Sequence, residues 1–107
     1  MSTEEEVHWL IQQHPVLVFS KTYCFWSTLA KDILNTYPTM SPLYHVIEVD
    51  LRPDMADMKR VLGRETGRFT FPNVFIKGVS VGGGTNVQAL QESGKLKGLL
   101  SDAGVLE

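Results

Sequence analysis

The sequence has a single cysteine, Cys24. A lone thiol excludes an intramolecular disulfide, so nothing staples this chain. An excess of charge of one sign is missing too. The formal net charge is −2, which leaves no global basic field for nucleic acid or an anionic membrane surface. No apolar run approaches the roughly 20 residues that cross a bilayer. The opening stretch, MSTEEEVHWLIQQ, is acidic and then amphipathic, unlike the basic-then-apolar layout of a signal peptide. These absences set three expectations: no nucleic-acid partner, no membrane and a cytoplasmic location. His8, His14 and His45 stand at spacings that match no zinc-ligand pattern, and they read as scattered surface residues. There are no repeats, low-complexity tracts or linkers.

What is present fits one domain over residues 1–107. Hydrophobic residues make up 43% of the chain, enough for a core at this length. Thr3-x-x-Glu6 reads as a capping box, with Glu4 to Glu6 well placed against a helix dipole. Val7, Leu10 and Ile11 then recur at helical spacing, so a helix is predicted from about residue 4 to 13, ended by His14-Pro15. Val16-Leu17-Val18-Phe19 is continuously apolar, as in a strand buried on both faces. A second helix begins near Cys24. Leu29, Ala30, Ile33, Leu34 and Tyr37 form its apolar face, Pro38 closes it, and 37–42 is a loop. His45 to Asp50 reads as a strand. Pro53 and Asp54 open a third helix whose Met55, Met58, Val61 and Leu62 share a face, with the methionines as core filling. Gly67 ends it. Phe71 to Ile76 runs into a strand with Pro72 at its head, a position a strand tolerates. Lys77-Gly78 turns into a short strand, Val79 to Val81. Thr85 or Asn86 caps a helix carrying Val87, Ala89 and Leu90, which Gly94 stops. A last helix carries Leu96, Leu99 and Leu100. The order α-β-α-β-α-β-β-α-α gives a parallel crossover followed by a hairpin. The expected fold is therefore α/β, a four-stranded mixed sheet flanked by helices.

Three places carry chemistry. Cys24 lies between a buried strand and a helix start, where unpaired N–H groups and the dipole favour a thiolate. Lys21 adds positive potential. Thiolate is the attacking species in disulfide exchange. The alternative at the same position is a small, inert, buried cysteine. Phe71-Pro72 is the second place. A cis bond there would turn the Phe71 backbone outward to pair with an extended peptide, whereas a trans proline would simply begin an edge strand. The third is Gly82 to Asn86, a glycine turn at a helix start whose N–H groups can take an anion. No Gly-Lys-Ser/Thr follows, so it is not a P-loop.

In this order and register the three pieces resemble the glutaredoxin family of the thioredoxin fold, over nearly the whole chain. The carriers are Lys21-Thr22-Tyr23-Cys24, then Thr66 to Ile76, then Val81 to Asn86. The resemblance implies that Cys24 attacks glutathione-containing mixed disulfides. It implies that Lys21 and Arg68 hold the glycine carboxylate of glutathione, that Phe71 before a cis Pro72 pairs with the cysteinyl backbone, and that Thr85 and Asn86 receive the γ-glutamyl end, with Gly84 leaving room. Arginine replaces the usual glutamine at Arg68 and can meet a carboxylate through two N–H groups. Other departures are as informative. Cys24-Phe25-Trp26-Ser27 stands where the family often has Cys-Pro-Tyr-Cys. Ser27 cannot resolve a disulfide, but it can donate a hydrogen bond to the thiolate. Trp26 either walls the peptide groove or obstructs it. Asn86 replaces the usual aspartate. The implied activity is monothiol reduction of protein–glutathione mixed disulfides, with glutathione as co-substrate and glutathionylated proteins as partners. A monomer is expected. The alternatives are a dimer whose Cys24 sulfurs and two glutathione thiolates hold a [2Fe–2S] cluster, and a weakly active scaffold that binds partners through Phe25-Trp26.

Overall fold

A computed structural model describes residues 1–38 and 42–106. The elements are α1 (Thr3–Gln13), β1 (Val16–Ser20), α2 (Phe25–Asn35), β2 (Tyr44–Glu48), a 3-10 turn (Val49–Leu51), α3 (Met55–Thr66), β3 (Asn73–Ile76), β4 (Val79–Gly82), α4 (Gly84–Glu92) and α5 (Lys95–Asp102). The strands form one sheet in the order β2-β1-β3-β4. β1 runs parallel to β2 and antiparallel to β3. β3 and β4 make the expected hairpin, turning through Lys77 and Gly78 at φ of 53° and 79°, the positive pair that a tight hairpin turn requires. The fold is the mixed α/β sheet that the sequence implies, and among the described residues no helix is long and apolar enough to cross a membrane.

β1 explains the two-layer core. Its side chains alternate across the sheet, and every one is buried. Leu17 and Phe19 pack with Val7 and Leu10 of α1 and Met58, Val61 and Leu62 of α3. Val16 and Val18 face the other way, against Ala30 and Leu34 of α2, Val87 of α4, and Leu96 and Leu100 of α5. Burying such a side chain stabilises the fold by about 1.5–3 kcal/mol. The central strand therefore holds both helical layers, and the turn that follows it emerges between them.

Several boundaries differ from expectation for identifiable reasons. The capping box is Ser2 with Glu5, not Thr3 with Glu6: the Glu5 N–H donates to Ser2 Oγ at 3.1 Å and the Ser2 N–H to Glu5 Oε1 at 3.0 Å. Glu6 is instead held by Arg52 at 3.0 and 2.8 Å, and Thr3 donates to Asp54 at 3.0 Å. With Asp54 occupied by Thr3 and Arg52, its side chain does not cap α3. The strand predicted to reach Asp50 stops at Glu48, where the chain winds into the 3-10 turn. α2 ends at Asn35, short of Pro38, and part of the predicted loop at 37–42 lies outside the described residues. α4 begins at Gly84 with Gly83 as its N-cap, so Thr85 and Asn86 lie inside its first turn.

Candidate functional site

The chain leaves β1 at Ser20 and turns through Lys21 to Tyr23 into α2, with Cys24 as the N-cap residue in extended conformation. The Cys24 carbonyl accepts the Thr28 N–H at 2.9 Å. The turn is fixed from two sides. Ser27 is fully buried, and its hydroxyl oxygen accepts the Lys21 N–H at 3.1 Å. Asp50 accepts the Thr22 N–H at 2.9 Å and the Thr22 hydroxyl. Asp50 is itself held below the usual carboxylate range, chiefly by that hydroxyl.

Cys24 is partly buried and free. Its S–H donates to the Phe71 carbonyl at 3.8 Å. Burial pushes the thiol up and is the largest single influence. The Ser27 N–H and hydroxyl, the Trp26 N–H and the Lys21 charge together outweigh it, so the thiol ionises below its ordinary value. The helix N-terminus thus offers the sulfur the donors it leaves unpaired. Of the two readings of Cys24, inert apolar residue and reactive thiol, these surroundings favour the second. Aromatic residues flank Cys24 along the chain: Tyr23 is 75% exposed, Phe25 70% and Trp26 43%, with Phe25 and Trp26 edge to face at 5.0 Å.

The Phe71–Pro72 peptide bond is cis. Lys21 Nζ lies over the Phe71 ring, 5.6 Å from its centre. Beyond Pro72, Asn73 is a fully buried polar residue. Its amide donates to Thr66 Oγ1 at 3.1 Å and its oxygen accepts from Ser80 at 2.7 Å. Asn73 therefore bolts this loop to the end of α3 and to β4.

At α4, the Gly83 N–H donates to Asn86 Oδ1 at 2.9 Å, one half of a capping box. Arg68 donates to the same oxygen at 3.1 Å and to Thr70 Oγ1 at 3.2 Å. A Cβ on Gly84 would stand 2.7 Å from the Trp26 carbonyl oxygen, so the room at Gly84 is taken by the α2 backbone. Trp26, Arg68, Thr70, Phe71, Pro72 and the start of α4 enclose an open groove of about 400 Å³. Trp26 is a wall of that groove, not a plug. Cys24 lies at its margin, joined to it through the Phe71 carbonyl. A larger groove of about 660 Å³, between α1 and β4, shares Arg68 with the first but holds no thiol.

The structure thus gathers Trp26, Arg68, Phe71, Pro72, Gly84 and Thr85 on one groove; Cys24 reaches it through the Phe71 carbonyl and Lys21 lies over the Phe71 ring, Ser27 is buried behind the turn, and Asn86, bonded to Arg68, lines the larger neighbouring groove. Sequence reasoning missed three supports. Asp50 and Asn73 carried only the weak signal of polar residues at strand ends. Phe69 lies on Gly63, where any Cβ would stand 2.1 Å from the ring; a glycine inside a helical pattern was the available clue.

A thiol at a helix N-terminus, beside a cis-proline loop at one end of a four-stranded mixed sheet, defines a thioredoxin-like thiol site. The glutaredoxin family profile matches residues 16–81. A glutaredoxin from Vernicia fordii is 38% identical over 98 residues, covering 92% of this chain and 91% of that one. A monothiol glutaredoxin from Caenorhabditis elegans is 38% identical over 96 residues, covering 90% of this chain and 64% of that one. The crystal structure of a buckwheat glutaredoxin–glutathione complex superposes with a TM-score of 0.89 at 31% identity, covering 98% and 93% of the two chains. The chain belongs to the glutaredoxin family, whose general role is thiol oxidoreduction, and its one cysteine matches a monothiol member.

Proposed function

We propose that the protein reduces protein–glutathione mixed disulfides by a monothiol route. The observation that carries this reading is a partly exposed Cys24 whose ionised form is favoured by Ser27, Trp26 and Lys21, at the margin of a peptide-sized groove. The Cys24 thiolate attacks the glutathione sulfur of the mixed disulfide. That sulfur–sulfur bond breaks, the substrate leaves as a thiolate and takes a proton from solvent, and Cys24 is joined to glutathione. A second glutathione, as thiolate, then attacks the glutathione sulfur on Cys24 and leaves with it as glutathione disulfide, restoring the Cys24 thiolate. The sum consumes one mixed disulfide and one glutathione and yields one substrate thiol and one glutathione disulfide. No second protein cysteine enters, so Ser27 is compatible with turnover.

In this reading the Phe71 backbone pairs with the cysteinyl unit. Lys21 and Arg68 supply positive charge for the carboxylates, and the start of α4 receives the γ-glutamyl end. Supporting it is the likeness to a glutaredoxin solved with glutathione. The test is glutathione-dependent reduction of a glutathionylated peptide. Wild-type protein should turn over, and Cys24→Ser should fall to the uncatalysed rate; equal rates for the two would refute the proposal.

Cluster binding is the lesser reading. The chain supplies one thiol, so a [2Fe–2S] cluster would need Cys24 from two chains and two glutathione thiolates. The exposed Phe25 and Trp26 would then be covered at the contact. Anaerobic reconstitution with iron, sulfide and glutathione distinguishes the two: a coloured dimer supports the cluster, a colourless monomer leaves the redox reading alone.

A further inference from the structure

We infer that Asp50 is a positioning residue for the thiol site: through Thr22 it holds the Lys21–Cys24 turn in the shape that aims the Lys21 ammonium at a ligand carboxylate beside Cys24. This rests on the glutathione reading above and adds to it a residue outside the groove.

The contact follows from the sheet. β1 and β2 run parallel, with Ser20 level with Glu48. Two residues further along both segments, the same register brings Thr22 level with Asp50. There Asp50 Oδ1 accepts the Thr22 N–H at 2.9 Å and Oδ2 accepts the Thr22 hydroxyl. The point of attachment matters. The Cys24 N–H donates to the Lys21 carbonyl at 3.4 Å, which closes a four-residue turn with Thr22 and Tyr23 at its centre. Ser27 takes the Lys21 N–H where the turn starts, and Asp50 holds its centre.

The base under Asp50 is rigid. Val49 is fully buried in the core layer that holds Val7, Phe19 and Met58. The Arg52 N–H donates to the Val49 carbonyl at 3.2 Å, and the Arg52 guanidinium is bound to Glu6 of α1 and to Asp54. Asp50 thus ties two exposed turn residues, Thr22 and Tyr23, to the frame of the core.

What the turn carries is Lys21. Its ammonium is a point charge on a flexible stem, so its direction depends on where its backbone stands and on the Phe71 ring, 5.6 Å from Nζ. Its charge acts on both Cys24 and Asp50, which places the ammonium near the thiol and the clamp alike. Loosening Thr22 would let the Lys21 backbone rotate and carry the ammonium off the ring. Cys24 would stay in place, because its carbonyl is held by the Thr28 N–H of α2 at 2.9 Å.

The test uses two mixed disulfides of one peptide: with glutathione, and with 2-mercaptoethanol, which offers no carboxylate. Consumption of each by the reduced protein is followed in single turnover. Asp50→Ala should react about tenfold more slowly than wild type with the glutathione form and within about twofold of wild type with the other. Asp50→Asn should stay within about twofold on both. Its oxygen can accept the Thr22 N–H and its NH2 can donate to the hydroxyl, so the clamp survives the loss of charge. Lys21→Met should slow the glutathione form about tenfold. Adding Asp50→Ala to it should cost less than about a further twofold, because no ammonium is left to aim. A wild-type rate for Asp50→Ala with the glutathione form overturns the inference. So does Asp50→Asn as slow as Asp50→Ala, which would make charge the cause. So does equal slowing with both disulfides, which would make the contact a general support of the turn, and so does full additivity with Lys21→Met. Absence of any Cys24-dependent consumption of the glutathione form by the wild type refutes the proposed function, and the inference goes with it.

Discussion

Two helix N-termini contribute to the one groove, and they are built on opposite plans. α2 leaves its donors open: Cys24 is its N-cap, makes no side-chain cap hydrogen bond, and is ionised more readily because Ser27 and Trp26 N–H groups are near the sulfur. α4 is closed at its cap: Asn86 binds the Gly83 N–H and is itself held by Arg68. The first end stabilises a reacting charge on the protein. In the proposed function, the second end presents donors to a charge on the ligand. A helix N-terminus is electropositive in either case; the residues placed on it decide whether it makes a nucleophile or a binding site.

The contrast breaks most sharply at Ser27. Its hydroxyl supports the Cys24 thiolate and also accepts the Lys21 N–H at 3.1 Å from a fully buried position. Ser27→Ala removes a donor from the sulfur and leaves the Lys21 N–H without its partner. The pH midpoint of Cys24 alkylation should move upward, and stability in urea should fall by about 1–3 kcal/mol. KM for the glutathione mixed disulfide should stay near the wild-type value, because the α4 end is untouched. An unchanged alkylation midpoint would show that the backbone N–H groups alone hold the thiolate.

Legibility in the sequence follows the same division. The α2 end could be read because its signal is local: a buried strand, a short turn, a cysteine and a helix start within residues 16–30. The sheet could be read because apolar runs and turn residues report it directly. The α4 end could not be read in the same way. Asn86 looked like a cap or a ligand contact, and only the fold brings Arg68, 18 residues earlier, onto its oxygen. Gly84 was expected to leave room for a ligand; it lines the groove, and only the fold shows that α2 also comes within 2.7 Å of where its Cβ would stand. Cap positions at Ser2 and Gly83 slipped because competing partners decided them. Arg52 draws Glu6 away from a capping role, and Asn86 caps from inside α4. Long-range hydrogen bonds between polar side chains leave no periodic trace, so they are the part that needs coordinates.

A smaller effect separates the two ends through the loop between them. Phe69 packs against Gly63 in α3, and its neighbours Arg68 and Thr70 are bonded to each other. Gly63→Ala displaces the ring but adds a better helix former, worth up to about 1 kcal/mol. Phe71 and Asn73 are buried, and Asn73 is bonded at both ends of its amide, so the cis-proline side of the loop should hold. The thermal midpoint should change little. KM for the mixed disulfide should rise several-fold, with kcat and the alkylation midpoint of Cys24 near the wild-type values. A matching shift in the alkylation midpoint would mean that the two ends are coupled through Phe71 and cannot be tuned separately.

The smallest effect is a difference in stability against pH. The Cys24 thiol ionises below its ordinary value in the folded protein and at that ordinary value, about 8.5, when unfolded. Between the lowered and the ordinary value the unfolded chain binds more protons than the folded one, so stability rises with pH through that window. The contribution is complete above the ordinary value and disappears as pH falls through the folded one. The stability of wild type minus that of Cys24→Ser, from urea unfolding at a series of pH values, should therefore climb across the window and then level off. Asn86→Ala supplies the contrast. It removes a cap hydrogen bond worth about 1 kcal/mol from a side chain with no proton to lose, so its stability difference from wild type should be flat over the same pH range. A flat Cys24→Ser difference would mean that the sulfur gains nothing from the open end of α2, and the distinction between the two helix ends would then rest on ligand recognition alone.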